Sequence, residues 1–434
     1  VRAFIESETT GGFRDLAVDM HLNFFVSVAR QTGGVDFVAY RLAEGRAEVI
    51  TRDRHFGDWQ TFGLELDPAG DDKIVGISLS SGAPQGLERR PIDDATLVAR
   101  ARARLTKACE LELFSGAALL AKGDDVLVLD ACGEASKRFR APNKADTKFN
   151  LGSMNKMFTA TAIAQLAEGG RLSYDDPISR WVDDTWLPAD ITAKVTVAHL
   201  LSHRSGLGSY FNETFWTSSR ENFRGLADFK PLVNGETLAF EPGERFQYSN
   251  TGMLLLGVVI EGASGQGYFD YVRDHIFEPA GMANTDSFEM DVPVENLAIG
   301  YSRDSTSPTG WRNNLYKHVI KGGPAGGGFS TVEDLHRFAR ALLGGTLVSD
   351  QSRDTLWTLQ GDGERGYGYG FQIDRSAGPT QVGHSGGFPG LNGQLVILPE
   401  SGYVIAVLAN YDRAASPVAA SFVELALATL VGER

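Results

Sequence analysis

The spacing of apolar and polar positions changes several times along the chain, and the changes mark out the elements. An opening helical region runs through Val28. After Gly33-Gly34 the pattern breaks into short runs at 35–42, 47–52, 59–66 and 73–80, with turns at Glu44-Gly45 and Pro68-Ala69-Gly70-Asp71-Asp72. That predicts helix followed by a four-strand meander. Asp93 or Asp94 can cap a helix that continues to about Glu110. Strands follow at 114–121 and 125–132, joined by Lys122-Gly123-Asp124. Strand patterns return only late, at 370–374, 380–383, 391–398 and 403–410, before a closing amphipathic helix over 415–431. Strands at both ends of a region with helices between them predict one antiparallel sheet, completed late, around a helical insertion.

The fold class expected is therefore α+β: an antiparallel sheet flanked by helices with a helical insertion domain, plus a small N-terminal α+β domain. The boundaries expected are 1–82 for the accessory domain, 83–93 for a linker and 94–434 for the main domain. The linker rests on Gly82-Ala83-Pro84-Gln85-Gly86 and Arg89-Arg90-Pro91. In element order alone, residues 1–82 resemble cystatin-like or nuclear-transport-factor-2-like units.

Composition narrows the picture. With 434 residues, 42% of them hydrophobic and 22% charged, a packed multidomain chain is expected rather than a disordered one. The net charge of −14 argues against nucleic acid as a partner. No apolar run approaches the roughly 20 residues of a spanning helix. Cys109 and Cys132 match no zinc spacing; they could pair, but two buried thiols are the preferred reading. The chain opens on Val1-Arg2 without methionine, as a trimmed or processed product would. A removed leader would make it periplasmic or secreted; otherwise it is cytoplasmic. Oligomeric state is not legible.

The candidate chemistry begins at Ser153-Met154-Asn155-Lys156, at the head of a segment apolar on nearly all faces through Glu168. Positions i and i+3 share a helix face, so the Lys156 amine can reach the Ser153 hydroxyl. A serine is a weak nucleophile until a base takes its proton, and lysine is that base only when burial lowers its pKa. By composition alone, Ser-x-x-Lys arises about once in a chain of this size. Tyr248-Ser249-Asn250 sits at a loop-to-helix junction, where a phenol can shuttle a proton and a carboxamide can hold a substrate amide. Tyr210-Phe211-Asn212 has the same spacing but leads into polar loop sequence. His384-Ser385-Gly386-Gly387 closes one late strand and opens a turn, with the Gly387 N–H a candidate oxyanion donor.

Taken in order, these three elements resemble the serine β-lactamase and penicillin-binding-protein superfamily, specifically its class C β-lactamase, D,D-peptidase and family VIII esterase branch. The resemblance covers residues 95–434 and includes Phe149-Asn150-Leu151-Gly152, Leu172-Ser173-Tyr174-Asp175-Asp176-Pro177, His199-Leu200-Leu201-Ser202-His203-Arg204-Ser205-Gly206-Leu207 and Pro324-Ala325-Gly326-Gly327-Gly328-Phe329-Ser330-Thr331. It implies Ser153 as the acylated nucleophile, Lys156 and Tyr248 as managers of its proton, and the N–H groups of Ser153 and Gly387 as the oxyanion hole. Asn250, His384, Ser385 and Gly386 would bind substrate. His384 stands where β-lactamases of this branch usually place a lysine that helps hold the substrate carboxylate. That departure leans the reading toward esters or amides. No metal or cofactor is required.

Rival patterns carry less. Gly383-His384-Ser385-Gly386-Gly387 fits Gly-x-Ser-x-Gly, but no histidine follows Ser385 to complete the triad in that fold's order. His199 and His203 have zinc-helix spacing, yet Leu200 stands where the general-base glutamate would be, so packing or capping is expected. His55-Phe56-Gly57 reads as a turn. Tyr210, Phe211, Phe215, Trp216 and Phe223 either wall an acyl pocket or pack the insertion. Ser330-Thr331-Val332-Glu333 reads as a capping box. The function expected is a serine acyl hydrolase acting on esters or amides. A true class C-type β-lactamase and a D-amino-acid peptidase or amidase stay open, as does a non-catalytic sensor that acylates without release.

Overall fold

The structure, a computed structural model, describes residues 2–16, 18–43, 45–69, 73–82, 84, 89–376 and 378–431. The turn expected at Glu44 and its counterpart over 70–72 involve positions outside the described residues, as do five of the eleven positions of the expected linker (83 and 85–88). By contacts the chain divides into two compact units, Val1–Leu113 with Ala420–Arg434, and Phe114–Ala419.

In the first unit, helices α1 (Arg2–Glu8), α2 (Gly11–Asp15) and α3 (Val18–Thr32) precede strands β1 (Val35–Ala43), β2 (Arg46–Asp53), β3 (Trp59–Leu66) and β4 (Ile74–Ser81). The strands pair antiparallel in sequence order. Helix α4 (Asp94–Glu110) starts where Asp93 accepts the Thr96 N–H, at 2.8 Å. Its Arg104 is held by Asp58 at 2.8 Å and lies over the Phe56 ring, which makes His55-Phe56-Gly57 a structural turn.

The second unit holds a seven-stranded antiparallel sheet. Its strands are β5 (Gly116–Lys122), β6 (Asp125–Cys132), β7 (Arg365–Tyr367), β8 (Gln372–Asp374), β9 (Gln381–Phe388), β10 (Leu391–Leu398) and β11 (Tyr403–Ala409), in the spatial order β7-β8-β9-β10-β11-β5-β6. The early strand β5 pairs along its length with the late strand β11, from Lys122 opposite Tyr403 to Gly116 opposite Ala409. This closes the sheet around the helical section, as the pattern of strands predicts. Strand β11 is buried at every position, which explains an apolar run without alternation.

The core lies between this sheet and three helices: α5 (Asn155–Glu168), α6 (Asn250–Ser264) and α7 (Val332–Leu343). Helix α5 packs against α6 and reaches β9, and Phe158 meets Phe277 and Phe338 edge-on. Burial on nearly all sides explains why α5 lacks a polar face. The N-cap of α7 is Thr331, accepting from the Asp334 N–H, one residue later than the expected capping box. A last helix, α8 (Ala415–Thr429), closes the chain.

Two expectations are corrected. Neither cysteine is a buried thiol: both are only partly buried, and both are disulfide-bonded. The strand expected to end at Gly383 runs on through His384–Gly387, the second half of β9, to Phe388, and the turn opens only after it. Glycines read as a strand break in sequence; here they let another segment sit directly on the strand.

Candidate active site

That segment is the 3₁₀ turn Gly152–Met154, which leads into α5 and carries Ser153. The turn needs glycine at 152, where φ is +51°. Its backbone is clamped on both sides. Asn150 Oδ1 accepts the Gly152 N–H at 2.9 Å, the Leu151 N–H donates to the Gly328 carbonyl at 2.7 Å, and the Gly327 N–H donates to the Gly152 carbonyl at 3.1 Å. Beneath the turn runs β9, so close that a Cβ on Gly386 would lie 1.9 Å from the Leu151 carbonyl oxygen. The Gly387 backbone nitrogen comes within 3.0 Å of where a Gly152 Cβ would stand, beside Ser153.

Lys156 lies one helical turn on from Ser153, wholly buried, with Nζ 3.1 Å from Ser153 Oγ. The amine also reaches Asn250 Oδ1 at 2.9 Å and the Ala325 carbonyl at 2.5 Å. Both of these atoms only accept, so they hold two of the amine's hydrogens. No carboxylate pairs with Lys156 among the described residues. Burial without a counter-charge disfavours the ammonium and pushes the Lys156 pKa well below its ordinary value of 10.5. In the neutral amine the remaining position is a lone pair, turned to the serine hydroxyl.

Tyr248 comes from the loop before α6. Its ring lies 4.8 Å from Lys156 Nζ, and burial pushes its phenol up to about 12 despite one exposed edge. The phenol thus stays protonated at neutral pH. Ser249 caps α6 by accepting the Gly252 N–H at 2.8 Å, which fixes the start of the helix and with it Asn250. Asn250 is engaged at both ends, by Lys156 at Oδ1 and by donating from Nδ2 to Ser209 Oγ at 3.2 Å.

Ser153, Lys156, Tyr248, Asn250 and Gly387 are therefore brought together. The other expected binding residues are not at the cavity wall. His384 is 1% exposed; its Nε2 meets the Tyr367 hydroxyl at 2.8 Å and its Nδ1 the Ser385 carbonyl at 2.6 Å. Burial lowers its pKa to about 3, so it is a neutral imidazole behind the cluster. Ser385 points to the other face of β9, where Gln372 donates to its hydroxyl at 3.2 Å. Gly386 is covered by the Ser153 turn.

The rival motifs resolve as well. His199 closes a capping box with Thr196, and His203, buried at φ +57°, accepts the Ser249 N–H at 3.2 Å and packs its ring on Tyr248. Beside Ser153 opens a cavity walled by Tyr210, Phe211, Val319, Phe388 and Leu391, with His318 and Asn150 among its polar residues. Of the aromatic section, Tyr210 and Phe211 wall this cavity while Phe215 and Phe223 are core. Sequence reasoning missed His318, Ser209 and Tyr367. No three or more His, Cys, Asp or Glu residues cluster as a metal site among the described residues, and no described helix is long and apolar enough to cross a membrane.

The profile of the family described as Beta-lactamase matches residues 103–429. Penicillin-binding protein 4* of Bacillus subtilis (strain 168) is 33% identical over 319 residues, 70% of each chain. Among solved structures, a penicillin binding protein from Bacillus halodurans is similar at 33% identity and a TM-score of 0.68, covering 77% of this chain and 99% of that one. A D-stereospecific amidohydrolase from Streptomyces sp. is similar at 26% identity and a TM-score of 0.63, covering 79% and 99%.

Proposed function

Because the chain belongs to the beta-lactamase family, within the serine hydrolase superfamily that includes the penicillin-binding proteins, we propose that it cleaves neutral esters or amides through an acyl-enzyme on Ser153. One observation carries the reading: two of the buried Lys156 amine's hydrogens are held by Asn250 and Ala325, which leaves its lone pair to the Ser153 hydroxyl 3.1 Å away. As Ser153 Oγ attacks the carbonyl carbon, its proton passes to Lys156. The oxyanion forms between the N–H groups of Ser153 and Gly387, each such donor contributing about 3 kcal/mol to the transition state. Collapse of the tetrahedral intermediate breaks the bond to the leaving group, which takes up the proton through the Tyr248 hydroxyl. Water then repeats the sequence on the acyl-enzyme.

The substrate class follows from the walls. No Asp, Glu, Lys or Arg side chain lines the cavity among the described residues, and the imidazole standing in place of the usual lysine is sealed away and neutral. A substrate carboxylate would find no cation there, which favours neutral esters and amides over penicillins. Likeness to the D-stereospecific amidohydrolase keeps amides within this reading. A parallel panel of a cephalosporin, a p-nitrophenyl ester and a D-alanyl amide tests it. Continuous ester or amide turnover that vanishes in Ser153→Ala, together with fluorophosphonate labelling, is expected. Faster cephalosporin turnover would overturn the substrate class. A single stoichiometric burst would mark a sensor, and a labelled Ser153→Ala protein would remove the nucleophile assignment.

A further inference from the structure

We infer that His318 is a specificity-determining residue of the acyl cavity, its ring accepting a hydrogen bond from a neutral N–H on the acyl part of the substrate, as an N-acylated amino acid carries. The inference rests on the proposed acyl-enzyme reading for the word acyl, but its geometry is independent of turnover.

His318 lies just ahead of the glycine-rich segment 322–328, is 8% exposed and lines the same cavity as Ser153. Its Nδ1 stands 3.1 Å from the Val319 carbonyl oxygen. A carbonyl only accepts, so Nδ1 carries the ring hydrogen and, in the neutral imidazole, Nε2 is a bare lone pair. With Nδ1 turned to its own chain, the Nε2 edge is the one left for the cavity, and no described residue bonds to it. The side chain is more than nine-tenths buried, yet Nε2 is not one of the buried atoms left without a partner, so this acceptor is open to the cavity, where a donor on a bound molecule can reach it.

The kind of donor is set by what surrounds it. Burial lowers the His318 pKa below its ordinary 6.5, so the ring stays an acceptor at neutral pH. The neighbouring wall is apolar and holds no carboxylate, so an ammonium would be desolvated there without a counter-charge, whereas an amide N–H satisfies one lone pair at little cost.

The probe is a matched pair that differs only in that donor: N-acetylphenylalaninamide and its ester isostere 2-acetoxy-3-phenylpropanamide, each in both configurations. Affinities are read by calorimetry on the Ser153→Ala protein, where neither compound is consumed. Tighter binding of the N–H compound by about fivefold is expected, on the scale of one neutral hydrogen bond. In Ser153→Ala/His318→Phe the ratio should fall to about one, and in Ser153→Ala/His318→Gln, which restores an acceptor, it should recover. Equal affinities in the parent protein, no binding of either compound, or a ratio that survives His318→Phe in a normally folded protein would each overturn the inference. Turnover of the p-nitrophenyl ester by the unmodified enzyme reports separately on the acyl-enzyme reading, so a failure of one is visible apart from the other.

Discussion

Replacing Gly386 by alanine tests whether the contact between β9 and the Ser153 turn sets the geometry of catalysis. The added Cβ would stand 1.9 Å from the Leu151 carbonyl oxygen and 2.9 Å from its carbon. Real contacts of this kind do not fall below 3.0 Å, so the turn and the strand must part by about 1 Å. Neither side yields freely. Asn392 Nδ2 donates to the Gly386 carbonyl at 2.9 Å, and the turn is tied to the glycine-rich segment through Leu151 and Gly328. Overpacking of this sort costs about 1–3 kcal/mol of stability. A displacement of about 1 Å between nucleophile and oxyanion donor costs about a hundredfold in rate, or roughly 2.7 kcal/mol. The assay is kcat/KM on a p-nitrophenyl ester, with urea unfolding alongside. Gly387→Ala is the control for stability, because its Cβ meets open space and should shift unfolding by less than about 0.5 kcal/mol. A folded Gly386→Ala enzyme with unchanged kcat/KM would refute the idea that this contact positions Ser153.

Three further outcomes are expected. Lys156→Ala should lower kcat by at least about a hundredfold, the usual contribution of a general base. In the unmodified enzyme kcat/KM should fall as pH drops through the lowered Lys156 pKa, because protonation removes the base, with no second limb up to pH 10 since the Tyr248 phenol titrates only near about 12; a kcat/KM that rises on acidification would count against Lys156. His384, held neutral with a folded pKa of about 3 against 6.5 unfolded, contributes stability that is whole above pH 6.5 and is lost as pH falls toward 3, by up to about 1.4 kcal/mol per unit. His384→Phe, which leaves the Tyr367 hydroxyl without its partner, should therefore be destabilising at pH 7.5 but progressively less so toward pH 5 in urea titrations. A gap that does not narrow would show that His384 is not buried in its neutral form.

Much of this site is legible because its chemistry is written in short spacings. Ser153 and Lys156 are one helical turn apart, and Tyr248 and Asn250 flank a helix cap, so local geometry nearly fixes their mutual reach. What escapes depends on contacts between distant segments. The glycines of β9 look like a break because the sequence does not say that the Ser153 turn rests on Gly386. His384 looks like a binding residue until Tyr367, on the far edge of the sheet, is seen to cover it. His318 stands in an aperiodic loop, and only the assembled cavity gives its unpaired nitrogen meaning. The cysteines leave the choice open for the same reason: two thiols 23 positions apart on separate elements carry no spacing rule that tells pairing from burial.

The pairing of β5 with β11 also has a consequence for biosynthesis. The proposed nucleophile leaves the ribosome at position 153, but the strand that carries the proposed donor at 387, and the strand that locks the sheet at 403–409, emerge more than two hundred residues later. Long-range closure of this kind is slow and leaves hydrophobic edges open in the interval. A nascent or C-terminally clipped chain thus carries its serine without the means to use it, and hydrolytic activity appears only when translation of the last strands is done.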